Sequence, residues 1–188
     1  RQKGTPKGNA RPILNAQHVI NDDEPFFVFF ADDFFRSKVP RAVQLLEAYN
    51  QTGKSIMSLA EVAPETVDRY GMAEPGEYIS DKVFQVKKLV EKPTIGESPS
   101  LFAQTGSYLL TSEIWPILEK ETVGKGGEIV LGDSLNELAQ LDTVYGRKVD
   151  GVWHDGGEPF GYVKAVVDFA LAHEEYGQSF AQYLKKRL

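Results

Sequence analysis

The sequence predicts an α/β fold: a Rossmann-like, mixed and mainly parallel sheet with helices packed against it. Runs rich in β-branched and aromatic residues alternate with stretches of helical spacing along the chain. The run at residues 25–31 is apolar almost throughout, which is typical of a strand covered by helices on both faces. Because no linker or internal repeat divides the chain, we expect residues 1–188 to form a single domain.

Composition limits the classes of function. The 188 residues are 41% hydrophobic and 26% charged, which indicates a folded protein rather than a disordered one. The net charge of −6 gives no general electrostatic reason to bind nucleic acid, and no apolar run approaches the ~20 residues of a membrane span. The lack of cysteine excludes disulfides, thiolate zinc sites and cysteine nucleophiles. We therefore expect a cytoplasmic protein without nucleic-acid or membrane partners.

The first half of the chain predicts alternating helices and strands. Glycine, proline and lysine at residues 4–12 indicate either a flexible loop whose amides and lysines can face an anion or a frayed terminus, which composition alone favours. A helix between two strands predicts a right-handed βαβ unit with parallel pairing. The predicted elements are a helix at 12–20, a strand at 25–31, a helix at 39–50 and a strand at 55–60.

The second half adds further strands and amphipathic helices. Gly106 interrupts a strand pattern, which indicates a bulge or a close backbone approach. Asp150 and Gly151 suit a hairpin turn, and the helix after it has an apolar face that we expect to point inward. That face consists of Val163, Val166, Val167, Ala170 and Leu171. The predicted elements are a turn at 75–77, strands at 83–93 and 102–110, helices at 111–118 and 129–141, strands at 144–149 and 152–154, and helices at 159–171 and 178–188.

Aspartates follow two of the predicted strands. Asp32 comes directly after the run at 25–31, and Asp155 follows the strand at 152–154 and precedes two glycines. Ligands of open α/β sheets bind beyond the carboxyl ends of the strands, where a carboxylate suits a hard cation such as Mg²⁺. The alternative for Asp32, which the local sequence supports equally, is a cap on a following helix.

A carboxylate and an ammonium stand side by side where the strand at 83–93 ends. Glu91 and Lys92 are followed by Pro93, which stops regular pairing. Since neighbouring strand residues point to opposite faces, we expect the two side chains to diverge. The glutamate can accept hydrogen bonds from hydroxyls, and the lysine can supply a point charge to a phosphate. The alternative is an exposed strand end with two solvated charges.

The order of motifs resembles that of the bacterial UTP–glucose-1-phosphate uridylyltransferases, or UDP-glucose pyrophosphorylases, of the sugar-nucleotidyltransferase superfamily. Each motif is weak alone, but their order and spacing together cover nearly the whole chain. The matching segments are residues 1–2, 23–25 with Asp32, 69–71, 90–93, 106–110, 114–116, 127–129 and 155–157 with 160–162.

The resemblance implies a GT-A-like nucleotidyltransferase fold of which this chain is the C-terminal two thirds. The family's N-terminal strand and its glycine-rich loop, which carries an arginine and a lysine for the triphosphate, have no counterpart before Arg1. We therefore expect residues 1–188 by themselves to be inactive.

The resemblance also implies roles on the nucleotide and metal side. Gln2 matches the glutamine that reads the uracil edge, and Gly8 matches a glycine that packs near the base. Asp32 matches the aspartate that bridges Mg²⁺ to the phosphates. Asp155 matches the strand-end aspartate that makes a second metal contact in related thymidylyltransferases.

On the sugar side, the resemblance implies contacts with both the hydroxyls and the phosphate. Gly71, Glu91 and Gly106 match positions that contact the glucose hydroxyls through backbone or carboxylate. Lys92 matches the lysine that holds the sugar phosphate. The catalytic pair implied in this way is Asp32 and Lys92.

The implied reaction makes UDP-glucose and pyrophosphate from UTP and glucose 1-phosphate with Mg²⁺, in an enzyme that assembles as a dimer or tetramer. Asn9, Ala10 and Arg11 depart from the family, which often has a further glycine and a histidine in this loop. The departure leaves base choice open. The alternatives are a sibling enzyme that uses dTTP or GTP, and a non-catalytic module that binds a sugar nucleotide.

Overall fold

A computed structural model describes residues 8–21, 23–120, 122–124, 127–141 and 144–187. The described residues form two compact units. The first unit takes its residues from Arg1–Phe29 and Pro40–Val149, and the second from Phe30–Val39 and Asp150–Leu188. The single domain over 1–188 stays a prediction.

A mixed sheet with helices on it forms the first unit, which confirms the predicted α/β class. Within the described residues its strand order is β1-β6-β3-β7-β5-β4. The strands are β1 (Phe26–Phe29), β3 (Ser55–Glu61), β4 (Gly71–Ser80), β5 (Val83–Glu91), β6 (Phe102–Leu110) and β7 (Val144–Lys148); β2 belongs to the second unit. The helices are α1 (Arg11–Ala16), α2 (Arg41–Thr52), α3 (Trp115–Leu118) and α4 (Leu131–Ala139), with 3-10 turns at Gln17–Val19, Pro64–Arg69 and Ser112–Ile114.

Antiparallel pairing dominates this sheet, so the expectation of a mainly parallel sheet is wrong for the described strands. Only β3 and β7 pair in parallel there. Strand β6 lies between β1 and β3 and is antiparallel to both. Strands β1 and β3, with α2 between them in the chain, therefore run in the same direction, as a βαβ unit requires, but they do not pair with each other.

Strand β1 is at the edge of the described sheet and is half exposed. Its burial alternates, with Phe27 and Phe29 40% and 46% exposed. The prediction of a strand buried on both faces is wrong, because β1 has a described neighbour on one side and its side chains alternate as in any strand with one covered face. On the covered face, Phe26 stacks on Trp115 with ring centroids 4.6 Å apart.

The helix α2 and strand β3 agree with their prediction. Helix α2 ends at Gly53, whose φ of +65° is the left-handed conformation that glycine adopts without strain. Leu45 and Ala48 of the helix pack with Ile56, Val83 and Leu109 in a buried cluster. This packing fixes the helix on the sheet.

Strand β4 was not predicted from the sequence. The turn expected at residues 75–77 lies inside β4, which continues to Ser80 through register shifts against β5. A proline and a glycine within a strand are typical of such irregularities. Residues 75–77 therefore lie in a bulged part of β4 and not in the turn that the sequence predicted.

The second unit contains β2 (Asp33–Arg36), β8 (Val152–Asp155), α5 (Pro159–Leu171) and α6 (Gly177–Lys185). Strands β2 and β8 pair antiparallel. Since β7 and β8 lie in different sheets, the predicted hairpin around Asp150 and Gly151 is wrong. Residues after Asp32 form a strand, so the helix-cap alternative for that aspartate is wrong as well.

The apolar face of α5 is turned largely to solvent. Val163 and Val166 are 53% and 49% exposed, and Leu171 is also exposed, whereas Ala165 is buried. The inward prediction for this face is therefore wrong for these three side chains. The four-residue spacing identified an apolar stripe but could not show which side of the helix the second unit covers.

Candidate functional site

A glycine in β4 is buried between two polar side chains of the first unit. Gly71 pairs with Glu91 of β5, and its neighbour Met72 pairs with Ala103 of β6. A Cβ at Gly71 would lie 3.0 Å from Gln104 Oε1 and 3.1 Å from Glu91 Oε2. A carboxylate oxygen and an amide oxygen thus meet over the backbone of Gly71, and both are acceptors suited to the hydroxyls of a sugar.

Gln104 is a site residue that the sequence analysis missed. Its Nε2 donates to Tyr108 Oη at 2.7 Å, which leaves Oε1 near Gly71. A Cβ at Gly132 would lie 3.8 Å from the same Oε1. The sequence feature that indicates this role is a glutamine within a strand whose other residues are largely buried. The amide of such a glutamine needs hydrogen-bond partners.

The backbone turns sharply at Lys92. Its φ is +46°, a left-handed conformation that a residue with a side chain adopts at a cost of order 1–3 kcal/mol and often at functional sites. The Lys92 amide donates to Tyr70 O at 3.0 Å, which ties the turn to the residue before β4. This strained position supports a functional role for the turn.

The turn also brings two charges together. Lys92 Nζ lies 3.8 Å from Glu91 Oε1, with the two side chains 61% and 73% exposed. The expectation that these side chains diverge is wrong, because β5 ends at Glu91 and the left-handed residue breaks the strand alternation. An exposed pair of this kind contributes little to stability, so both groups are available to a ligand.

Gly106 lies at a bulge, as one of its two sequence interpretations predicts. The pairing of β3 with β6 shifts register between Met57 and Leu59. Opposite the shift, Ser58 Oγ donates to Ser107 O at 2.8 Å and also contacts Thr105 Oγ1. Buried hydroxyls therefore replace the ladder bonds that the bulge removes.

Gly8 packs against the segment that leads into α4. Its φ is +91°, and a Cβ there would lie 2.3 Å from Ile129 O, so no other residue fits. The next residue, Asn9, accepts a hydrogen bond from Leu131 N at 2.8 Å through Oδ1 and so caps the start of α4. The base contact expected of Gly8 stays a prediction, and Gln2 lies outside the described residues.

The two aspartates singled out by sequence come together in the second unit. A Cβ at Gly157 would lie 3.2 Å from Asp155 Oδ1 and 3.3 Å from Asp32 Oδ2. Gly156 N donates to Asp32 O at 2.7 Å, and Gly157 N donates to Asp155 Oδ1 at 3.1 Å. The carboxylates of Asp32 and Asp155 therefore approach each other over a glycine turn.

A pair of carboxylates suits Mg²⁺, which is typically held by one or two protein carboxylates, with waters and substrate phosphates completing its shell. The part of the chain that the structure describes has no group of three or more acidic, histidine or cysteine side chains able to hold a metal. The neighbouring Asp33 accepts from Trp153 Nε1 at 2.5 Å and so has a structural role.

A buried histidine connects β8 to α5 beneath this pair of aspartates. His154 is 8% exposed, and its Nε2 lies 3.2 Å from Asp168 Oδ2, although the alignment is too poor for a hydrogen bond. Glu158 accepts from the amides of Phe160 and Gly161 and caps α5. These contacts hold the turn that follows Asp155.

The structure thus places the sequence-predicted residues in three groups. Gly71 and Glu91 form one group with the turn at Lys92. Gly8 packs against the segment that leads into α4. Asp32 and Asp155 meet in the second unit. That Asp32 and Lys92 face a common crevice stays a prediction, because they belong to different units.

The family model described as "Nucleotidyl transferase" matches residues 1–170. The chain belongs to the nucleotidyl transferase family. A curated relative, UTP--glucose-1-phosphate uridylyltransferase 2 of Staphylococcus saprophyticus, is 38% identical over 96% of this nucleotidyl transferase chain and 62% of its own length.

Solved structures agree with this membership. A UDP-glucose pyrophosphorylase complexed with UDP-glucose is 31% identical and has a TM-score of 0.82, covering 92% of this chain and 66% of that one. A UTP-bound UGPase from Acinetobacter baumannii is 27% identical with a TM-score of 0.84, covering 96% and 62%. The nucleotidyl transferase chain therefore spans a little over three fifths of the curated relatives it matches. Among its described helices, none has the length and apolarity to cross a bilayer.

Proposed function

We propose that the protein containing this chain makes UDP-glucose and pyrophosphate from UTP and glucose 1-phosphate. The observation that carries the proposal is that the side-chain oxygens of Glu91 and Gln104 converge at Gly71, next to the strained turn at Lys92. The relatives named for this reaction, and the solved neighbours holding UTP or UDP-glucose, support it.

The reaction requires placement and charge neutralisation rather than a covalent nucleophile. A phosphate oxygen of glucose 1-phosphate attacks the α-phosphorus of UTP and forms the new P–O bond. The bond from the α-phosphorus to the bridging oxygen breaks, and pyrophosphate leaves with that electron pair.

On the sugar side, different residues bind different groups of glucose 1-phosphate. Lys92 offers its ammonium to the sugar phosphate, and Glu91 accepts hydrogen bonds from sugar hydroxyls. Gln104 gives a further acceptor, its amide oxygen, beside Gly71. We assign Gly106 to the same sugar side.

Asp32 and Asp155 are the residues that would hold Mg²⁺. The metal, when bound, would offset charge on the phosphate oxygens during transfer. Gln2 and Gly8 are assigned to the uracil side. We further propose a cytoplasmic homo-oligomer, a dimer or tetramer, which light scattering of the purified full-length protein would test.

Initial rates of pyrophosphate release test the proposed reaction. The full-length protein is assayed with UTP, dTTP and GTP against glucose 1-phosphate, galactose 1-phosphate and mannose 1-phosphate. We expect UTP with glucose 1-phosphate to have a kcat/KM at least about a hundredfold above the other combinations, as expected for a site whose polar groups pair with the correct substrate.

Other outcomes of this assay identify the alternatives. Preference for dTTP or GTP would replace the proposal with a sibling enzyme. Binding of UDP-glucose by calorimetry without turnover of any pair would leave a non-catalytic sugar-nucleotide module. For residues 1–188 alone, we expect no turnover.

A further inference from the structure

The strand that ends in Glu91 is only partly supported by its neighbour. On one edge, β4 pairs with β5 as far as Glu91, but on the other edge of the described sheet β7 pairs with β5 only over Val83–Gln85. Farther along β5, the backbone of Leu89 is satisfied instead by a side chain of α4. This happens two residues before Glu91 and three before Lys92.

The side chain is Asn136, and its amide acts like the peptide group of an additional strand. Asn136 Oδ1 accepts from Leu89 N at 2.6 Å, and Asn136 Nδ2 donates to Leu89 O at 3.0 Å. Leu89 is 5% exposed, so water does not readily replace these bonds. A side chain of another shape or polarity would leave both backbone groups buried and unpaired.

The turn at Lys92 is therefore held from two directions. Tyr70 O accepts from the Lys92 amide, and Asn136 fixes β5 just before the turn. Since the left-handed φ of Lys92 is strained, the turn persists only while its surroundings hold it. Release of β5 at Leu89 leaves this end of the strand held by β4 alone, which lets Glu91 and Lys92 shift relative to Gly71.

We propose that Asn136 is a positioning residue that sets where Glu91 and Lys92 meet the sugar phosphate. The inference rests on the proposed function for the identity of that ligand. It predicts that loss of the Asn136 amide weakens use of glucose 1-phosphate while UTP binding is preserved, since a displacement of about 1 Å can cost on the order of a hundredfold in rate.

The test uses three variants of the full-length protein. Asn136→Leu keeps the size and removes both hydrogen bonds, and Asn136→Asp keeps the acceptor for Leu89 N but places an oxygen against Leu89 O. Asn50→Leu is the matched control, because Asn50 is an exposed helical asparagine of α2. Each variant is measured for KM of both substrates and for amide hydrogen exchange over residues 86–92.

We expect the KM for glucose 1-phosphate to rise about tenfold or more in Asn136→Leu, which corresponds to the loss of one or two net hydrogen bonds, with the KM for UTP within about twofold. The KM of Asn136→Asp for glucose 1-phosphate should lie between those of Asn136→Leu and the native protein. The KM of Asn50→Leu should equal that of the native protein. Exchange at residues 86–92 should accelerate in both Asn136 variants. If Asn136→Leu does not fold, the Asn136→Asp variant decides by the same criteria.

A purely structural role would raise both KM values together or lower kcat alone, and either result would overturn the inference. So would faster exchange at 86–92 with an unchanged KM for glucose 1-phosphate. Failure of the proposed function is recognised separately, because the native protein would then not use glucose 1-phosphate at all. In that case the positioning role is judged by the affinity for whichever sugar nucleotide the native protein binds.

Discussion

Gly71 and Glu91 face each other across β4 and β5, and the carboxylate of Glu91 occupies the space beside the missing side chain of Gly71. A Cβ at Gly71 would lie 3.1 Å from Glu91 Oε2 and 3.0 Å from Gln104 Oε1. Both nearby atoms are ends of flexible side chains. A methyl group there would therefore displace polar groups of the site without disturbing the sheet.

Gly71→Ala should impair sugar binding more than folding. We expect the KM for glucose 1-phosphate to rise at least about tenfold, because the methyl group displaces the side-chain oxygens of Glu91 and Gln104, while thermal stability changes by less than about 1 kcal/mol. Steady-state kinetics and thermal unfolding of the full-length protein provide the measurements. Gly96→Ala is the control, since nothing lies within 4 Å of a Cβ at Gly96. Equal KM values in the two variants would remove Gly71 from the sugar site.

Gln104→Leu should have a similar kinetic effect for a different reason. The substitution keeps a side chain beside Gly71 but removes the amide. The Nε2 atom of this amide donates to Tyr108 Oη, and its Oε1 atom lies beside Gly71. Loss of one hydrogen bond to a sugar hydroxyl predicts a three- to tenfold rise, roughly, in the KM for glucose 1-phosphate. Tyr108→Phe separates the two contributions, because it removes the partner of Gln104 and keeps the amide. If Gln104→Leu leaves that KM unchanged, Gln104 does not contact the sugar.

Asp32→Asn and Asp155→Asn test the pair of aspartates in the second unit. We expect Asp32→Asn to lower kcat about a hundredfold or more, because an amide binds Mg²⁺ less strongly than a carboxylate. Both variants should need more Mg²⁺ for half-maximal rate, with the smaller change in Asp155→Asn. Magnesium titrations of the rate provide the measurement, and exposed Asp81→Asn is the control. An unchanged Mg²⁺ requirement in both variants would contradict a metal site at these residues.

Ser58→Ala should destabilise the bulge at Gly106. The substitution leaves Ser107 O without the hydroxyl that donates to it and removes the contact with Thr105 Oγ1. Loss of this buried hydrogen bond should lower the free energy of unfolding by about 0.5–1.5 kcal/mol. Urea denaturation followed by circular dichroism measures the effect, with exposed Ser80→Ala of β4 as the control. A loss no larger than that of the control would show that the hydroxyl pair does not support the bulge.

Local pattern was sufficient where neighbouring residues determine the structure. Helix α2 has its apolar spacing and its terminal Gly53, and the end of β5 near Glu91 follows from the proline two residues later. The two aspartates were found because each follows a strand. In these cases the information lies within a few residues of the feature.

Long-range contacts account for what the sequence did not predict. Asn136 contacts Leu89 across 47 residues, and Gln104 faces Gly71 only because β4 and β6 pair. Sheet order likewise decides that β1 is an edge strand and that β3 pairs with β7. The direction of the Lys92 side chain depends on a left-handed backbone that a strand pattern does not contain.

The KM for glucose 1-phosphate in Lys92→Met tests the central claim most directly. The variant keeps the length and packing of the side chain and removes its charge, and exposed Lys88→Met on the same strand is its control. We expect the KM for glucose 1-phosphate to rise at least about thirtyfold, or roughly 2 kcal/mol, with the KM for UTP within about twofold. An unchanged KM for glucose 1-phosphate and an unchanged kcat would contradict a sugar-phosphate site at this turn.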